Sequence, residues 1–62
     1  MPNHLIAATH YRAKAVQCQQ LAEATAYNNL QAGFAEMADL YLQLAMAELY
    51  LQQLAEDQKA QY

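Results

Sequence analysis

Residues 34–54 read FAEMADLYLQLAMAELYLQQL, and their pattern decides the fold. Met37, Leu40, Leu44, Ala47, Leu51 and Leu54 recur at alternating spacings of three and four, the signature of one face of a helix. Phe34, Ala38, Tyr41, Leu42, Ala45 and Leu49 cover much of the opposite side. Glu36, Asp39, Gln43 and Tyr50 are expected to separate the two stripes on one flank, with Glu48 and Gln52 on the other. A helix that is apolar on two faces has to be covered on two faces.

Toward the amino terminus the pattern narrows. Ala8, Tyr11, Ala15, Cys18 and Ala22 form a stripe of mostly small residues, with Leu21 at its shoulder, so a first helix can present one close-packing seam. Arg12, Gln17, Gln19, Gln20 and Glu23 fall on its solvated side. Asn3 is placed to cap this helix just after Pro2. No breaker follows until about Ala26, and a turn is expected at about 26–29, where Asn28 and Asn29 tolerate tight geometry. Asn28 with Gln31 resembles a capping box, and Thr25 is the competing cap. The chain therefore reads as one all-α unit, residues 1–62. Its plan is an antiparallel two-helix hairpin with helices over about 4–26 and 30–59, the second outreaching the first. Glu36 and Asp39 early in the second helix and Lys59 at its end match the helix dipole.

With 62 residues, two helices touching along one seam fall short of the entropy of ordering the chain. A single cysteine, Cys18, excludes an internal disulfide and suits a reducing compartment, so a cytoplasmic location is expected. Association is the remaining source of stability. The first helix can cover only one stripe of the second, and two hairpins packed as a four-helix bundle are the simplest closed solution. The expected interface draws on Phe34, Met37, Leu40, Tyr41, Leu44, Ala45, Leu49, Leu51 and Leu54. Which of the two stripes faces the first helix stays open at this stage.

Composition narrows the partners. Hydrophobic residues make up 56% of the chain and Ala, Leu and Gln dominate, with one Gly and one Pro, as in a helical protein. A formal charge of −3 disfavours nucleic acid and anionic membrane surfaces as partners. The apolar run Leu40–Ala47 lies between Asp39 and Glu48, too short to span a bilayer, and Met1–Thr9 lacks the basic start of an export signal.

No constellation of catalytic or ligating residues stands out. His4 and His10 lie six apart, on different helix faces, whereas ligation from one helix uses spacings of three or four. No Glu is followed three places on by a His, as a ferritin-like di-iron bundle requires. Cys18 sits on the small-residue stripe as a packing residue; Lys14 is the one nearby cation that could activate it for redox chemistry. Glu36 and Asp39 read as dipole partners on a solvated face. Gly33 suggests a close helix approach near the bend or simple tolerance, with a ligand contact as the remaining alternative. Glu48 should lie level with Ala8 to Arg12 and pair with Arg12 or Lys14, while Tyr11, Tyr41 and Tyr50 fill the bundle or an interface.

The segment Tyr11-Arg12-Ala13-Lys14-Ala15-Val16-Gln17-Cys18-Gln19-Gln20-Leu21-Ala22 resembles a family of short, uncharacterised proteobacterial proteins with the pattern Y-R-x-x-A-x-x-C-x-x-L-A. Glu36-Met37-Ala38-Asp39-Leu40-Tyr41 is similar to that family's second helix. The resemblance implies a helical hairpin and carries no activity. At the bend the sequence departs from the pattern, with Ala26-Tyr27 where the family has an acidic residue or Asn followed by Pro. Expected functions, in order, are a non-enzymatic self-associating interaction module, an accessory subunit docking through its second helix onto a larger complex, and a ligand-binding or redox-responsive bundle. No cofactor and no metal are expected.

Overall fold

The computed structural model describes residues 3–60, which form two antiparallel α-helices, α1 (His4–Ala24) and α2 (Asn28–Ala60). Asn3 caps α1 as its sequence suggests: its extended backbone turns the side-chain oxygen onto the amides of Leu5 and Ile6, both at 3.1 Å. At the other end Thr25 leaves the helix with extended geometry. Its amide still donates to the Leu21 carbonyl, and its Oγ1 accepts from the Tyr27 amide at 3.3 Å. Thr25, Ala26 and Tyr27 alone join the helices. Asn28 is therefore the first residue of α2 rather than its cap, and the Gln31 amide donates to the Tyr27 carbonyl.

The helices meet along a seam of small side chains. Ala8, Ala15 and Cys18 of α1 are buried against Ala38 and Ala45 of α2, with Ala15 and Ala38 each 1% exposed. Methyl-sized side chains let helix axes approach toward the short end of the usual range, about 8–10 Å. The same spacing continues at half-buried positions: His4, Tyr11 and Ala22 on α1, and Phe34, Tyr41, Glu48, Gln52 and Ala55 on α2. This settles which stripe of α2 is intrachain. Phe34, Tyr41 and Ala45 belong to the seam, and the Met37–Leu54 stripe does not. Leu21, at the shoulder of the α1 stripe, is 50% exposed and stands outside the seam.

Two cross-helix contacts define the register. Tyr11 and Tyr41 stack with ring centroids 6.3 Å apart, and His4 Nδ1 lies 2.5 Å from Glu48 Oε2. Since α2 has 33 residues and α1 has 21, the dozen or so residues beyond Glu48, about 18 Å of helix, run past the start of α1. The result is a rod with principal extents of 55 × 14 × 14 Å.

Candidate interaction surface

Glu48 occupies the seam rather than a flank between stripes, and so does Gln52. The partner of Glu48 is His4, not Arg12 or Lys14. A carboxylate only accepts, so the His4 ring N–H donates. Both side chains are 23% exposed, which makes this a rim contact at the end of the seam that sets register more than stability. His4 escaped the sequence reading although a signal existed: it precedes Ala8 by four positions and continues the three-and-four spacing of the α1 stripe.

The remaining candidates scatter. His10 is exposed and meets the Tyr11 ring edge-on, so the two histidines share no site. Among the described residues, no group of three or more His, Cys, Asp and Glu side chains converges as a metal site would need. Cys18 is buried among the seam alanines, out of reach of a solvent-borne oxidant or substrate. Glu36 and Asp39 are both exposed. A Cβ added at Gly33 would meet nothing within 4 Å, so no close approach within the hairpin explains that glycine.

What the fold leaves open is apolar surface. Met37, Leu40, Leu44, Ala47, Leu51 and Leu54 are all exposed along one side of α2, Leu40 by 58%. Their stripe runs about five turns and includes a shallow groove lined by Met37, Leu40, Tyr41 and Leu44. A second, shorter shoulder lies across the seam, where Leu42, Met46 and Leu49 are exposed, Met46 by 68%. Gln53 and Glu56 interrupt it toward the carboxyl end. Leu21, expected on the seam, and Leu49, expected at the interface, both lie on open surface, Leu49 on this second shoulder. No helix among the described residues is long and apolar enough to cross a membrane.

A row of large aliphatic side chains on a rigid helix offers dispersion and water exclusion, with no group poised to transfer a proton or an electron pair. Such a surface can bind another apolar surface. Compared with protein-family models, with curated proteins and with solved structures, the chain finds no significant match.

Proposed function

We propose that this chain is a non-enzymatic interaction module that associates with a second copy of itself, two hairpins completing a four-helix assembly. The observation that carries the reading is the exposed stripe Met37, Leu40, Leu44, Ala47, Leu51 and Leu54 on α2. The buried seam supports it from the other side, because its fully buried positions hold only alanines and one cysteine. A hairpin with so thin a core gains little from folding alone. The unpaired Cys18 suits a reducing compartment, and we place the chain in the cytoplasm on that ground.

Sedimentation equilibrium of the purified chain at micromolar concentration tests the proposal. Twice the 7.0 kDa chain mass is expected, and a Leu44→Asp variant should lose association. A folded monomer of the unaltered chain overturns it. The second shoulder, Leu42, Met46 and Leu49, favours one other reading, an accessory subunit seated on a larger complex. That reading predicts a chain unfolded or aggregated when alone, yet recovered from its source in a larger particle.

A further inference from the structure

The spacing of the exposed stripe says more than that it is apolar. From Met37 the steps are three, four, three, four and three, so the series reads the same from either end. Its midpoint falls between Leu44 and Ala47. A second α2 laid antiparallel about a two-fold axis there sets Met37 against Leu54 of the second copy, Leu40 against its Leu51, and Leu44 against its Ala47. A heptad stripe also matches itself in parallel, so orientation needs separate grounds.

Two observations favour the antiparallel arrangement. First, it places the small residue Ala47 opposite the large Leu44, whereas a parallel pair stacks Ala47 on Ala47 and leaves a gap between leucine layers. Second, α2 runs past the start of α1. Carrying the His4–Glu48 register through the two-fold axis brings the second copy's α1 level with the first copy's α2 from about Leu44 onward. That range includes the overhang beyond Glu48, which its own α1 leaves uncovered. A parallel pair puts both overhangs at the same end and covers neither with α1.

The accessible area fits this occupant. A compact monomer of 7.0 kDa exposes about 4,000 Å² by the usual size scaling, whereas this rod exposes 5087 Å². The difference, about 1,000 Å², is close to the roughly 800 Å² that each partner contributes to an interface of standard size. Resting on the self-association proposed above, we infer that the second copy docks α2 against α2, antiparallel and centred between Leu44 and Ala47. Each copy's α1 then flanks the overhang of the other.

Single-thiol chains test the register. In a Cys18→Ala background, Leu40→Cys and Leu51→Cys chains are prepared separately, one of them isotopically labelled, then mixed and oxidised with glutathione disulfide. In the antiparallel pair Leu40 of one copy faces Leu51 of the other, while the two Leu40 positions lie about 16 Å apart along the axis. A disulfide cannot bridge such a gap, so the mixed disulfide should exceed either homodisulfide roughly tenfold. Predominant homodisulfides overturn the inference and indicate a parallel pair. A dimer by sedimentation that forms neither product overturns it by placing the interface elsewhere. A monomeric Cys18→Ala chain and a monomeric unaltered chain overturn the self-association reading itself. If Leu40→Cys or Leu51→Cys loses helicity by circular dichroism, Met37→Cys with Leu54→Cys makes the same comparison at the ends of the stripe.

Discussion

Ala15 and Ala38, each 1% exposed, are the most deeply buried side chains of the seam, and a larger side chain there has to displace packed neighbours. Ala15→Leu should therefore destabilise the hairpin by about 1–3 kcal/mol or abolish its folding, as followed by thermal melting. Cys18→Ala, on the same face, replaces one small apolar side chain by another and should cost under about 1.5 kcal/mol in the same assay. The small-residue stripe of α1 was legible because its spacing of three and four is unbroken from Ala8 to Ala22. The Glu48 partner was not. The expected turn at 26–29 lies about two residues beyond the observed linker 25–27, and in an antiparallel pair each residue of displacement at the bend shifts the opposing partner by two. One helical turn of error moved the expected level of Glu48 from His4 to Ala8, and the expected partners Arg12 and Lys14 lie a further turn or more along α1.

Within α2 the two apolar stripes were legible, yet their spacing alone did not say which one faces α1. Size decides it. Ala38 and Ala45 allow a close approach, whereas Leu40, Leu44 and Leu51 at the corresponding depth would hold the helices apart. Gly33 continues the exposed stripe one turn toward the bend, with helical geometry and open space where a Cβ would stand. Gly33→Ala should therefore stabilise the chain by about 0.5–1 kcal/mol through helix propensity, raising its melting temperature by several degrees. The antiparallel pairing sets the long, adaptable Gln58 of the second copy against that position, so the added methyl should leave association intact.

As a whole, the chain is more extended than its length requires. Its radius of gyration is 15.2 Å, against about 11 Å for a compact chain of this size. A rod with an alanine seam draws little stability from its own interior, and the proposed association would, by linkage, make stability depend on protein concentration. Thermal melts across a hundredfold concentration range should show a midpoint that rises with concentration; an invariant midpoint would indicate a self-sufficient monomer. The all-α hairpin was readable because the chain offers no strong breaker between Pro2 and the bend. The extent of surface left open was readable only in outline, since it depends on how many positions one seam can cover.

The linker of three residues between α1 and α2 has a kinetic meaning as well. Each cross-helix contact closes a loop through that linker, and the loops lengthen steadily with distance from it. Tyr11 and Tyr41 close a shorter loop; His4 and Glu48, 44 positions apart, close a longer one. Since closure entropy grows with loop length, the helices are expected to zip from Thr25–Tyr27 outward, with the His4 end closing last and opening first. The stretch of α2 past Glu48 begins at that late-closing end.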